Sequence, residues 1–156
     1  MSRRRPLRRD RAGIASLEAG LLVGLVLVPL VGGAADVGII LVGWSAATRA
    51  EHAGLFYAFA NGVSTAGIQD AALAAYSSSS STPTITPGSA CYCLPTSAPW
   101  SRSGATAVSC GSTCGSGDTL TEFVTVSVSA SVTLPLPVPG LVSSYTIATT
   151  ATARLQ

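Results

Sequence analysis

This sequence is poor in charge. Only 10% of its 156 residues are charged, all nine basic residues are arginine, and there is one histidine, His52. With 47% of the chain hydrophobic, it is a poor candidate for a soluble cytosolic protein. A single histidine leaves no second imidazole for a metal site or a proton relay, so His52, beside Glu51, reads as a wet-face helix residue. No C-x-x-C stands where a thiol redox site would need it. No G-x-S-x-G with a supporting acid and histidine is present, and no glycine-rich loop is built to cradle phosphate. No catalytic residue, metal or cofactor is therefore expected.

The little charge there is sits unevenly. Residues 1–13 hold Arg3, Arg4, Arg5, Arg8, Arg9 and Arg11 with one acid, Asp10. The rest has three arginines (Arg49, Arg102, Arg154) against six acids (Glu18, Asp36, Glu51, Asp70, Asp118, Glu122), a formal charge of −3. A basic leader before a weakly acidic body is the pattern of a topogenic or removable segment. No basic face follows it, which argues against nucleic acid as a partner. Residues 19–35 carry no charge, and about 20 apolar residues span the hydrocarbon core of a bilayer. Arginines on one flank keep the N-terminus cytoplasmic and send the remainder across the membrane. Pro29, followed by Gly32 and Gly33, predicts a kink or a loosened turn within this helix. Gly20 and Gly24 make a small-xxx-small pair.

Beyond Asp36, which marks the outer membrane boundary, the helix is expected to continue to Tyr76 and turn amphipathic. Leu55, Phe59 and Val63 fall at i, i+4 and i+8 with Phe56 alongside, while Arg49, Glu51 and His52 mark the wetter face. Trp44 suits a headgroup anchor, and the phenylalanines suit a face buried beneath the C-terminal region. Asn61-Gly62 or Gly67 is where the helix would break. Residues 77–90 (SSSSSTPTITPGSA) read as a flexible linker or exposed loop. From Leu120 to Leu136 one parity holds Leu120, Val124, Val126, Val128, Ala130, Val132, Leu134 and Leu136, with Glu122 the polar exception; the other parity is mostly Ser and Thr. That alternation is a half-buried strand, stopped by Pro135, Pro137 and Pro139 with Gly140. Residues 144–155 form a second, Thr-rich strand, and an antiparallel hairpin packed on the amphipathic helix is the simplest arrangement.

Four cysteines, Cys91, Cys93, Cys110 and Cys114, lie in a segment without periodicity. Four thiolates could hold zinc, but C-x-C is an awkward chelate, and an even cysteine count in a Ser/Gly/Pro-rich stretch outside the membrane points to disulfides. Two pairings avoid a strained 91–93 bridge: Cys91–Cys110 with Cys93–Cys114, or Cys91–Cys114 with Cys93–Cys110. The chain thus divides into a cytoplasmic leader (1–13), a transmembrane helix (14–43), an amphipathic extension (44–76), a linker and cysteine loop (77–118) and a hairpin region (119–156).

Glu18, at the mouth of the apolar run, is costly in a membrane and is functional by default there, although a carboxylate also suits a helix start. Gly13, then Ile14-Ala-Ser-Leu-Glu18 and an apolar helix containing Pro29, then Asp36-Val-Gly38, the segment AEHAGLFYAFANG and the C-x-C…C-x3-C block, together resemble the TadE family of pseudopilins. The resemblance implies a pilin-like α+β fold, with a long N-terminal transmembrane and amphipathic helix packed on a small disulfide-stapled antiparallel β unit. It implies cleavage by a prepilin peptidase between Gly13 and Ile14, and pairing of the new Ile14 amine with Glu18 of a neighbouring subunit during assembly. The expected role is a minor pseudopilin of a tight-adherence (Flp-type) pilus system. Its partners would be that peptidase, the assembly platform, other pilins and inner-membrane lipid. Its place would be the bacterial inner membrane, with the C-terminal domain periplasmic or carried into a surface pilus. The alternative is an unprocessed single-pass inner-membrane scaffold with a periplasmic disulfide-bonded domain.

Overall fold

The computed structural model describes residues 11–78, 81–103, 105–115, 117–134 and 143–155, with side chains from residue 17 onward. The leader residues 1–10, with five of the six leader arginines, and the prolines expected to stop the hairpin strand lie outside the described residues. Helix α1 (Arg11–Leu22) runs through a π-helical turn (Val23–Leu27) into α2 (Val28–Asn61). In that turn the Val28 amide donates to Val23 O, five residues back. Pro29, which follows at once, has no N–H to give Leu25, so a wider turn just before it relieves the α-helical pattern. Pro29→Ala restores that donor; slower amide exchange across residues 24–28, read by NMR in micelles, is the expected result.

Every residue from 17 to 31 is exposed. The helical run Leu17–Asn61 is long and apolar enough to cross a membrane. Residues 17–35 alone would reach about 28 Å at 1.5 Å per residue, close to the thickness of the hydrocarbon core. An apolar surface of this extent calls for lipid or a protein partner around it.

The helix breaks at the first of the two expected points. Gly62 takes φ 82°, a left-handed conformation that disfavours side chains, and Ser64 then caps α3 (Thr65–Ala75) by accepting from the Gly67 amide at 3.3 Å. Helix α3 folds back on α2: Gly54 lies against Ile68, and the Tyr57 ring fills the space over Gly67.

Four antiparallel strands form one sheet in the order β2-β1-β3-β4, made of β1 (Thr84–Pro95), β2 (Ala107–Val108), β3 (Asp118–Thr133) and β4 (Ser144–Arg154). The expected hairpin is β3 with β4, joined in register from Phe123↔Arg154 to Thr133↔Ser144. Strand β1 corrects the reading of 77–118 as linker and structureless loop, because it pairs with β3 along its whole length, from Thr84↔Ser129 to Pro95↔Asp118. Pro87 and Gly88 had masked it. Pro87 is opposite Val126, whose own backbone groups are turned to β4, so the missing proline donor falls on the outer side of β1 and costs no ladder bond.

The core lies between the inner face of the sheet and the two helices: Val124, Val126, Val128, Val132, Ile147 and Ile85 against Ala47, Ala50, Leu55, Ala58, Ile68 and Ala72. The buried stripe of α2 therefore consists of small residues, Gly43, Ala46, Ala47, Ala50, Gly54 and Ala58, with Glu51 and Leu55. Phe56 and Phe59, expected beneath the hairpin, are 71% and 56% exposed, and Val63 is 40% exposed. Glu51, expected on the wet face with Arg49 and His52, is buried, whereas those two are exposed. The outer face of the sheet is lined with hydroxyls that bond across strands, Thr125 with Thr152 and Ser127 with Thr150, each at 3.1 Å.

Candidate functional site

Three places carry chemistry, and the fold keeps them apart. At the N-terminus, Gly13 and Ile14 lie within α1, and Glu18 follows on the same helix, exposed. Nothing from the sheet reaches Glu18, which makes no ion pair among the described residues. Asp36, further along α2, is half-buried, and its Oδ1 has no hydrogen-bond partner.

At the other pole the segment between β1 and β3 is held by two interleaved disulfides. Cys91–Cys110 has a Cα–Cα distance of 5.2 Å and Cys93–Cys114 one of 5.6 Å, which selects the first of the two expected pairings. Cys91 and Cys93 stand two apart on β1 and so share one side of the sheet. Strand β2, through Cys91↔Val108, lays the returning chain beside them. Glu122 sits in register with Cys91. The ligand atoms of Cys91, Cys110 and Glu122 lie within 4.8 Å of one another, but the two sulfurs are joined and offer no thiolate to a cation.

On the opposite side of the sheet the same loop lays Arg102 over Phe123 at 5.0 Å and over Tyr92 at 5.7 Å, the two rings meeting edge to face. Arg154 Nη1 donates to Pro99 O at 3.0 Å and ties β4 to the loop. This cover explains why Phe123 and Thr121 are buried although both belong to the parity expected to face water.

The third place was missed by the sequence reading. Glu51 is 5% exposed and its Oε1 has no hydrogen-bond partner; Thr149 Oγ1 is buried and unpartnered too. Gly43 meets Ile147 and Val132, and Gly54 meets Val126. Glu51 therefore falls near the level of Val128 and its cross-strand partner Thr149. Around the helix it lies roughly 120° from Tyr57, which faces α3, so it occupies the flank over β4. The signal available in the sequence was a stripe of Gly and Ala at helical spacing that includes residue 51; a search for large apolar residues passes over it. A buried, unpartnered carboxylate oxygen is a cost to folding. Glu51→Leu should therefore stabilise the isolated chain by about 1–2 kcal/mol, seen as a higher urea midpoint by circular dichroism.

Compared with protein-family models, with curated proteins and with solved structures, the chain matches none.

Proposed function

We propose that the chain is a minor pseudopilin of a tight-adherence (Flp-type) pilus system, with a structural rather than enzymatic role. The observation that carries this reading is the bare apolar helix, exposed from residue 17 to 31, which begins at the Gly13–Ile14 and Glu18 signature and runs on as the stem of a disulfide-bonded sheet. In this reading a prepilin peptidase removes residues 1–13 on the cytoplasmic side of the inner membrane. The helix holds the subunit in lipid until assembly, and the sheet stands in the periplasm, where disulfides persist. Glu18, exposed in apolar surroundings, then pairs with the Ile14 amine of an adjacent subunit, and a subunit placed out of register leaves that charge unpaired. The assembly platform and the other pilins are the partners this requires.

One observation favours a second reading, an unprocessed single-pass scaffold. Gly13 and Ile14 both lie within helix α1, and a peptide bond held in a helix is open to a protease only when that helix frays. Intact mass and N-terminal sequencing of the membrane-extracted protein, with and without a co-expressed prepilin peptidase, separate the two. The pseudopilin reading expects a chain starting at Ile14 only when the peptidase is present, and none from Gly13→Val. A leader retained under every condition leaves the scaffold.

A further inference from the structure

The two edges of the sheet are treated differently. The Leu134 amide donates to Ser143 O at 3.0 Å, and the Leu155 amide donates to Glu122 O at 2.8 Å. Both pairs continue the β3–β4 register, so the odd-numbered residues of β4 spend their backbone groups on β3. The even-numbered ones, Ser144, Thr146, Ala148, Thr150, Thr152 and Arg154, turn theirs outward, and among the described residues no strand pairs with them. On the opposite edge Pro87 removes an outward donor and β2 covers Cys91 and Tyr92. Natural sheets blunt an edge with proline, inward charge, a bulge or a cover. β1 has such protection, whereas β4 has no proline and a single charge, at Arg154.

Beneath that open edge lies the α2–β4 seam with the unpartnered oxygens of Glu51 and Thr149. A strand added beside β4 would stand about 4.8 Å away and bring alternate side chains to this flank of α2. We propose that the β4 edge and the seam form a docking slot for an extended segment of another protein, one carrying an arginine or lysine whose side chain pairs with Glu51. The backbone supplies affinity and the buried carboxylate selects the cation, as in other strand-addition complexes. A second copy of this chain fits less well. Helix α2 runs alongside β4, so antiparallel two-fold pairing of β4 would point the two bare helices in opposite directions, and β4 has no basic residue to offer before Arg154. The inference stands apart from the pilus reading, since it needs neither leader cleavage nor Glu18.

The test uses the full chain in detergent micelles and two labelled nine-residue peptides. Both have valine at odd and threonine at even positions; the central residue is arginine in one and norleucine in the other. The arginine peptide should bind about tenfold tighter, or more, by fluorescence anisotropy. Glu51→Gln should bring the two affinities to within about twofold of each other. Binding should slow amide exchange at Ala148 and Thr150, whose donors face outward, and leave Thr149 and Ala151 unchanged. A version of the arginine peptide N-methylated at alternate amides should not bind, a result that needs no protein variant. Equal affinities for the two peptides, no binding at millimolar peptide, unprotected outward amides, or a β4–β4 dimer that excludes the peptide would each overturn the proposal.

Discussion

Gly54→Leu is expected to pull α2 away from the sheet and to cost about 3 kcal/mol or more of stability. A single added carbon at Gly54 already meets Ile68 Cγ2 at 3.2 Å, Val126 Cγ2 at 3.3 Å and the Ile68 carbonyl at 3.4 Å. The last of these is backbone in α3 and cannot rotate aside, so three further carbons must displace a helix. Leucine is by itself the better helix former by somewhat less than 1 kcal/mol, and the expected loss is net of that gain. Two controls isolate the packing effect. At Gly38, also in α2, nothing lies within 4 Å of an added carbon, so Gly38→Leu should leave the sheet-bearing half unperturbed. At Gly43 the nearest atom is Ile147 Cδ1 at 2.6 Å, the free end of a flexible side chain, so Gly43→Ala should cost less than Gly54→Leu. Urea titration followed by near-ultraviolet circular dichroism checks the order. Equal stability of Gly54→Leu and Gly38→Leu would mean that α2 does not approach the sheet closely at Gly54.

Loss of both disulfides should be the larger blow. Closing a loop across the 19-residue separation of Cys91–Cys110 is worth about 3 kcal/mol in the chain-entropy estimate. The second bridge is interleaved with the first. Once Cys91 and Cys110 are joined, Cys93–Cys114 closes only the short ring left between them, worth about 2 kcal/mol. The quadruple Cys→Ser chain should therefore lose about 5 kcal/mol, a large part of what a small domain has. Either double variant alone, Cys91→Ser/Cys110→Ser or Cys93→Ser/Cys114→Ser, should lose about 2–3 kcal/mol, because the remaining bridge still closes the loop. The effect should be strongest at the loop pole. Faster exchange at Phe123 and Leu94 should precede any loss at Val128, since Arg102 is held over Phe123 by the loop the bridges define. Uniform exchange across the sheet would show that the bridges do not act locally.

Much of this molecule was legible because its signals are local. Seventeen uncharged residues in a row, from 19 to 35, specify an apolar helix whatever surrounds them. The Val/Ser alternation of β3 needs only the two-residue period of a strand, and its observed limits, Asp118–Thr133, fall within three residues of the expected 120–136. The break at Asn61-Gly62 follows from the freedom of one glycine. What failed depended on distant partners. Strand β1 has no alternation of its own; it exists because β3 offers a full-length ladder and because Pro87 can face away from it. The spacing of Leu55 and Phe59, with Phe56 alongside, suits a buried face, yet apart from Leu55 and Glu51 the face of α2 that meets the sheet is built of glycine and alanine.

The sequence by itself determined that this protein has a long apolar helix, that its Thr/Ser/Val segments form a hairpin, and that four cysteines pair among themselves, since each rests on residues close together in the chain. Only the tertiary structure decided which side of α2 meets the sheet, that Glu51 is buried there, and that among the described residues one sheet edge is covered while no strand lies beside the other. The physical reason is proximity: a helix settles on a sheet along the face that allows the closest approach. At Gly54 that approach brings Ile68 and Val126 within 3.4 Å of where a first side-chain carbon would sit, and Glu51 is carried into the seam on the same face of the helix.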